Sequence, residues 1–181
     1  QGDLRPGQTV LVQGTGGVSI FGLLLARLGG ARVLCTSSSD EKLAIAEALG
    51  ATWTVNYRDD PDWGKTARDL TGGVDHVIEV GGAGTIEQSL IAVKPGGTVN
   101  VIGVLDGVGG ELQLTRVLMN AVRMQGILVG PREAFERMNA AMEAAQLRPV
   151  LDAKRFSFEA LPDALAHMRD GAHFGKIAIT R

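Results

Sequence analysis

Short apolar runs alternate with amphipathic stretches along most of the chain. The runs have the length and continuous hydrophobicity of buried strands, and they lie at 9–14, 31–37, 52–57, 74–82, 98–104 and 123–130. The stretches between them have helical periodicity or helix-capping residues, such as Ser39 or Asp40 at the start of one of them. The pattern therefore predicts helices within 18–28, 39–50, 60–73, 85–93 and 114–122.

Continuous apolar strands that alternate with helices indicate a parallel sheet covered on both faces. We predict an α/β Rossmann fold, a doubly wound six-stranded parallel sheet with helices on both faces. Residues 1–146 are expected to form this dinucleotide-binding domain, and residues 147–181 a C-terminal segment. Ligands of such sheets lie beyond the carboxyl ends of the strands, where the sequence has Gly14, Gly81, Gly103 and Gly130.

A glycine-rich turn, Gly14-Thr15-Gly16-Gly17-Val18-Ser19, directly follows the first strand and opens the first helix. This context is typical of a dinucleotide fingerprint, in which glycines permit the tight turn and the approach of the backbone to a pyrophosphate. Amides at the start of the helix would hold the anion. Ser19 replaces the usual third glycine and is small enough for its packing role. The alternative is a structural turn in a sheet that binds no nucleotide.

The end of the second strand bears on which dinucleotide binds. NAD sites usually have Asp or Glu about 20 residues beyond the fingerprint, where it binds the ribose 2′-hydroxyl. Here Ser37 and its neighbours supply hydroxyls instead, Lys42 follows in the next helix, and Tyr57 follows the third strand. Neutral donors and a lysine suit a phosphate monoester, so we expect NADP(H) to be preferred, with NAD(H) as the alternative. Lys42 could equally be a solvated helix residue, and the serines only a cap.

Composition argues against several other classes of function. A formal net charge of −2 over 181 residues provides no attraction for nucleic acid or an anionic membrane. No apolar run is long and uninterrupted enough to span a bilayer, and the opening QGDLRPGQTV has no features of a signal peptide. A single cysteine suits the cytoplasm. One cysteine and three histidines without paired spacing predict no metal site in this chain.

The histidines and the cysteine also have ordinary structural interpretations. Cys35, within a predicted strand, is expected to be a buried and inert thiol. His76 is expected to pack under the sheet or bond a backbone group, although Glu79 nearby makes a catalytic role conceivable. His167 and His173 are expected to be solvated or to pack the C-terminal segment.

Six stretches together resemble the coenzyme-binding domain of medium-chain, zinc-type alcohol dehydrogenases and quinone oxidoreductases: VLVQGTGGVSIFGLLLA, SSSDEKLAIAEALGA, VNYR, GGVDHVIEVGG, KPGGTVNVIGV and HFGKIAI. The resemblance spans essentially the whole chain. It implies an oxidoreductase that moves hydride between NAD(P) and an alcohol, a carbonyl compound or an alkene. It also implies roles for individual residues, with the pyrophosphate at Gly16, Gly17 and Val18 and the 2′-phosphate at Lys42 and Tyr57. It further implies cofactor contacts after the fourth and fifth strands, at Val80, Gly81, Ile102, Gly103 and Val104. The remaining implied contacts are Leu128 and Val129, on the sixth strand, and Phe174 and Lys176, in the C-terminal segment.

Members of the resembled family carry a GroES-like catalytic domain, which holds the zinc ligands and most of the substrate pocket. This chain has no counterpart of that domain, so we predict no catalytic residue within it. We expect it to be part of a longer protein, and to bind cofactor without catalysing a reaction by itself. The alternatives are a stand-alone nucleotide-binding or dimerisation module, or a methyltransferase. The missing acidic residue after the second strand argues against the methyltransferase.

Two further expectations concern the C-terminal segment and the sheet edge. In the resembled family residues 147–181 return toward the catalytic domain, so we expect the strands at 151–158 and 176–180 to be poorly ordered or repacked. The sixth strand is a predicted sheet edge, and an uncovered apolar edge invites pairing. We expect a homodimer through residues 117–130, centred on the edge strand around Met124–Val129.

Overall fold

The computed structural model describes residues 3–181; Gln1 and Gly2, which begin the predicted first domain, lie outside the described residues. The described strands are β1 (Thr9–Gln13), β2 (Arg32–Ser37), β3 (Trp53–Asn56), β4 (Val74–Glu79), β5 (Val93–Val101), β6 (Arg123–Gly126), β7 (Leu151–Ser157) and β8 (Lys176–Thr180). The α-helices are α1 (Gly17–Leu28), α2 (Asp40–Ala48), α3 (Trp63–Thr71), α4 (Ile86–Ala92), α5 (Leu114–Met119), α6 (Arg132–Ala144) and α7 (Leu161–Arg169). Among residues 3–181, none of the helices combines the length and hydrophobicity that crossing a bilayer requires.

Six strands form one parallel sheet in the order β3-β2-β1-β4-β5-β6. Leu11 of β1 lies opposite Leu34 of β2 on one side and Val77 of β4 on the other. The strand order reverses between β1 and β4, which makes this position the switch point of a doubly wound sheet. The predicted Rossmann fold is therefore confirmed.

Helices cover both faces of the sheet because successive residues of each strand point to opposite faces. Val10 and Val12 pack with Leu23 of α1 in one core. Leu11 packs with Trp63 of α3 and Leu90 of α4 in the other core. Each large apolar side chain buried in this way contributes about 1.5–3 kcal/mol. With both faces covered, the strand ends are where a ligand can reach the sheet.

Two predicted element boundaries are wrong. The fifth strand, predicted at 98–104, is β5 (Val93–Val101) and begins directly after α4; its pairing register with β4 shifts between Val74 and His76. The sixth strand ends at Gly126, so Leu128 and Val129 lie beyond it and not on it. The reason is that the neighbouring strand β5 ends at Val101. The last hydrogen bond between the two strands runs from the Ile127 amide to the Val101 carbonyl (2.9 Å).

The C-terminal strands form a separate two-stranded parallel sheet, with α7 connecting β7 to β8. Leu151 lies opposite Lys176, and Phe156 lies opposite Ile179. This pairing along one edge of each strand argues against the expectation that the strands are poorly ordered, and the expected repacking stays a prediction. A bridge between Gly16 and Gly175 attaches this small sheet to the main domain.

Candidate functional site

A cleft of about 920 Å³ crosses the carboxyl ends of β1, β4 and β5. It lies at the switch point, where doubly wound sheets bind their ligands. Nine of the predicted cofactor-binding residues line it: Gly14, Gly16, Gly17, Val18, Tyr57, Val80, Gly81, Ile102 and Gly103. Gly130 does not, since it lines a different cavity beside α6.

The glycine-rich turn has the backbone geometry of an anion site. Gly14 has a φ of 72°, a left-handed conformation that a side chain would strain. Gly16 is the extended residue before α1 and provides no capping side chain. The amides of Gly17 and Val18 lie in the first turn of the helix, so they have no partner within it. Both residues line the cleft, at the positive end of the helix dipole.

Ser19 substitutes for the usual glycine with a buried hydrogen bond. Its hydroxyl donates to the carbonyl of Gln13, which ties the first turn of α1 to the end of β1. Gly22, one turn further on, makes a close approach to the strand, since a Cβ there would lie 3.3 Å from Val12 Cγ1. The packing role predicted for position 19 is thus shared between Ser19 and Gly22.

The end of β2 differs from the predicted 2′-phosphate site. Ser37 is buried, and the Lys42 ammonium donates to the carbonyls of Gly171 (2.5 Å) and His173 (3.0 Å) in the C-terminal segment. Tyr57 lines the cleft and is 42% exposed. Of the three side chains predicted at the 2′-phosphate, Tyr57 alone faces the cleft, because Lys42 is drawn to the carbonyl groups.

The loops that follow β4 and β5 bond to each other and form the far wall of the cleft. The amides of Leu105 and Asp106 donate to the carbonyls of Val80 (3.1 Å) and Gly81 (2.7 Å). A Cβ on Gly103 would lie only 2.7 Å from the Val80 carbonyl oxygen. A side chain at position 103 would therefore push the two loops apart.

Glu79, at the end of β4, lies fully buried beneath this wall. Its carboxyl group accepts hydrogen bonds from five neutral donors: the amides of Gly81 (2.9 Å) and Gly82 (3.0 Å), the side-chain amide of Gln13 (2.8 Å), and the hydroxyls of Thr85 (2.5 Å) and Ser89. The network joins the ends of β1 and β4 to α4. It therefore fixes the position of the loop after β4 relative to the end of β1 and to α4.

The family model of zinc-binding dehydrogenases matches residues 17–144. This chain belongs to the zinc-binding dehydrogenase family. A zinc-type alcohol dehydrogenase-like protein of Schizosaccharomyces pombe is 42% identical to it, over 97% of this chain and 52% of its own length. The chain spans about half the length of the curated relatives it matches. The predicted resemblance is confirmed.

Two solved structures of nicotinamide-dependent enzymes share the fold of this chain. An NAD-dependent alcohol dehydrogenase is 33% identical, with a TM-score of 0.91 over 98% of this chain and 52% of that one. The quinone oxidoreductase of Thermus thermophilus, solved also in complex with NADPH, is 30% identical, with a TM-score of 0.78 over 99% of this chain and 60% of that one.

Zinc, which the family name implies, has no fitting site in the described part of this chain. Across residues 3–181, no three His, Cys, Asp or Glu side chains lie close enough together to hold a metal ion. Burial raises the pKa of the Cys35 thiol to about 12, which suppresses the thiolate that a metal would need. His76 is buried, with Nε2 3.3 Å from Gln8 Oε1, and burial lowers its pKa. The buried Cys35 and the packed His76 are as predicted, although the partner of His76 is a side chain.

Several predicted cofactor contacts lie away from the cleft. Phe174 is buried in the core beside α1, where its ring loses contact with water. Leu128 and Val129 are 92% and 80% exposed beyond the edge strand. Thr15 is buried behind the turn, where its carbonyl accepts an amide of the C-terminal segment at 2.9 Å, and Val104 is half-exposed. These five residues do not line the cleft, and their contacts with a cofactor stay predictions.

Other cleft residues were missed by reasoning from the sequence: Gln13, Trp63, Thr85, Asp106 and His173. Gln13 carries a usable signal, because it is a polar residue that ends an apolar strand directly before the glycine turn. His173 begins the stretch HFGKIAI, but the residues predicted from that stretch were Phe174 and Lys176. Lys176 does not line the cleft but lies across Gly17, where a Cβ would come within 2.6 Å of its Nζ.

Proposed function

We propose that this chain is the cofactor-binding domain of an NADP(H)-dependent medium-chain dehydrogenase/reductase. The proposed reaction is hydride transfer to or from an alcohol, a carbonyl compound or an alkene. The observation that carries the proposal is the switch-point cleft, which the first-turn residues Gly17 and Val18 line together with the loops after β4 and β5. A dinucleotide is a ligand that needs both an anion site and a long groove.

Each wall of the cleft has its own task in this proposal. The amides of Gly17 and Val18 bind the pyrophosphate, with the favourable field of the α1 dipole. The wall that contains Val80 and Ile102 binds the ribose and the nicotinamide ring, and the Glu79 network holds that wall in position. When bound, the cofactor supplies or accepts the hydride.

The NADP(H) preference is proposed from the surroundings of the adenosine ribose. Ser37 ends β2 where an acidic residue would repel a 2′-phosphate, and the Tyr57 phenol faces the cleft. A phosphate would offer the Lys42 ammonium a charged acceptor in place of the neutral carbonyls that it now bonds. One relative is NAD-dependent and another is solved with NADPH at similar identity, so identity does not decide between the cofactors.

Titration of the chain with NADPH and NADH tests both parts of the proposal. We expect tighter binding of NADPH, and we expect Lys42→Met to weaken NADPH about tenfold more than NADH, which corresponds to about 1.4 kcal/mol. Loss of the contacts between Lys42 and the C-terminal segment would weaken both cofactors equally, so the ratio isolates the 2′-phosphate. The matched control is Lys65→Met, which removes an exposed lysine paired with Asp69 on α3. Equal affinities in the unchanged chain, or equal losses on substitution, contradict the 2′-phosphate assignment.

We propose that hydride transfer needs a catalytic domain in addition to this chain. In this proposal residues 1–146 bind the cofactor and residues 147–181 face that domain, in a cytoplasmic enzyme. The second candidate function is a nucleotide-binding or dimerisation module without catalysis. The two are distinguished by supplying a catalytic domain from a relative in trans or by fusion and measuring cofactor-dependent reduction of aldehydes or quinones. Activity supports the enzyme.

We also propose a homodimer through the edge strand β6. β6 is an edge strand of the sheet, and the exposed Leu128 and Val129 follow it in the chain. Leu118 and Met119 of α5, which precedes β6, are 77% and 79% exposed. Pairing of two such edges would extend the sheet across both chains. We expect a dimer in sedimentation at micromolar concentration and a monomer for Leu128→Asp; a monomer of the unchanged chain would reject the proposal.

A further inference from the structure

The imidazole of His173 lies in the cleft beside the glycine-rich turn. It lines the same cleft as Gly16 and Gly17, and its Nε2 lies 4.0 Å from where a Cβ on Gly16 would be. The residue comes from the loop between α7 and β8, so the C-terminal segment reaches the proposed pyrophosphate position.

Three backbone contacts fix the loop on either side of this ring. The Phe174 amide donates to Asp152 Oδ2 (2.8 Å), and the Gly175 amide donates to the Thr15 carbonyl (2.9 Å). The His173 carbonyl accepts from the Lys42 ammonium (3.0 Å). Gly175 has a φ of 65°, and a Cβ there would lie 2.5 Å from the Val150 carbonyl oxygen, so the tight path of the chain requires glycine. The position of the ring is thus imposed by its neighbours.

The ring nitrogens of His173 indicate how it would bind. Nδ1 is buried and has no hydrogen-bond partner among residues 3–181. A backbone group of His167 favours the protonated ring. Both nitrogens of an imidazolium are donors, so Nε2, the atom that faces the turn, then has a proton to donate.

We infer that His173 is a direct ligand of the dinucleotide, with its Nε2–H donating a hydrogen bond to a pyrophosphate oxygen. The inference rests on the proposed function and adds a side-chain ligand to the backbone amides of the turn. When the ligand has no 2′-phosphate, as in ADP-ribose, Lys42 acts as a positioning residue, because it keeps its bond to the loop from which the imidazole projects.

The charges around His173 make its contribution dependent on pH. Burial, followed by the positive charge of Lys42, lowers the pKa of the imidazole, and Asp152 opposes the shift. His167 and Lys176 are the other titratable groups from the C-terminal sheet that lie nearby, and Tyr57 faces the cleft from the end of β3. An anion bound at Nε2 would stabilise the imidazolium and raise the pKa, so binding should strengthen as the pH falls through the histidine range.

The test measures the affinity of the chain for ADP-ribose, which contains the pyrophosphate but neither the 2′-phosphate nor the nicotinamide, and for adenosine, which contains no phosphate. We expect His173→Phe to weaken ADP-ribose about tenfold, the usual effect of one hydrogen bond to a charged group, and to leave adenosine unchanged. His173→Gln retains an N–H donor but cannot titrate. It should restore most of the affinity and abolish the increase between about pH 8 and about pH 5.

His167→Gln is the matched control, because His167 bonds Asp152 (3.1 Å) in the same small sheet but does not line the cleft. It should retain both the affinity and the pH profile. Equal weakening of ADP-ribose and adenosine by His173→Phe, or an unchanged affinity for ADP-ribose, would overturn the inference while the proposed function stands. If His173→Phe does not fold, the pH profile of His173→Gln decides, and a profile like that of the unchanged chain overturns the inference. Failure of the unchanged chain to bind any dinucleotide would remove both proposals.

Discussion

The two ends of β4 each bury a carboxyl group, and they satisfy it in opposite ways. At the amino end, Asp75 pairs with the Lys94 ammonium and accepts from the Thr9 amide (2.9 Å) and the Gln8 side chain (3.1 Å). At the carboxyl end, Glu79 has five neutral donors and no lysine or arginine partner in the described part of the chain. A positively charged side chain therefore compensates the buried carboxyl group only at the amino end of β4, away from the cleft.

This difference separates a contact that stabilises the fold from one that also shapes the site. Burial opposes ionisation of Asp75, but the Lys94 ammonium and the Thr9 amide hold the pKa of Asp75 below its usual value. These partners belong to strands and contribute only to stability. Two donors of Glu79 are the amides of Gly81 and Gly82 in the cleft loop, so the same bonds set the shape of the wall.

The largest expected effect is that of Glu79→Gln. The amide group turns an NH₂ toward donors, and each unsatisfied buried donor costs about 1–3 kcal/mol, so we expect a loss of about 3 kcal/mol or more in the free energy of unfolding. Affinity for ADP-ribose should fall as well. Urea unfolding and ligand titration measure the two effects. Glu87→Gln on α4 is the control, since its pair with Arg116 is partly exposed and should cost under about 1 kcal/mol. Equal effects of the two changes would remove the distinction.

A smaller effect is expected for Asp75→Asn at the opposite end of the strand. The change removes a charge-assisted contact with a partly exposed lysine, so we expect a loss of about 1–2 kcal/mol in urea unfolding. Affinity for ADP-ribose should stay the same, because Gln8, Thr9 and Lys94 all lie away from the switch-point cleft. A loss of affinity as large as that of Glu79→Gln would show that the two ends are coupled.

The smallest effect is expected in acid. Asp75 and Asp152 both have a pKa below the ordinary 3.8; burial opposes this shift, and at Asp152 the amides of Phe174 and Lys154 and the ring of His167 outweigh burial. A depressed pKa in the folded state stabilises the fold fully above 3.8, and this contribution is lost as the pH falls through the folded-state values. Unfolding free energies measured across this range should decline. The doubly substituted Asp75→Asn, Asp152→Asn chain should decline less steeply; an identical slope would assign the acid sensitivity to other groups.

Local patterns in the sequence were enough for most of the fold and for the glycine turn of the cleft, whereas Val80 and Ile102 were predicted from the family resemblance. The glycine turn, the Ser39 cap of α2 and the alternation of strands with helices each depend on neighbouring residues. The end of β6 was not predictable in this way, because it depends on where the adjacent β5 ends. Phe174 was assigned to the cofactor, although in the folded chain its ring belongs to the core beside α1.

By itself the sequence determined that this chain forms a doubly wound sheet with a glycine turn at its switch point. Strand length, helix periodicity and the freedom of glycine are properties of short segments. Only the tertiary structure decided that Lys42 bonds the carbonyl of His173, 131 residues further along the chain, and that five separate donors converge on Glu79. Such contacts depend on how the C-terminal sheet and the strand ends meet in space, which no local pattern specifies.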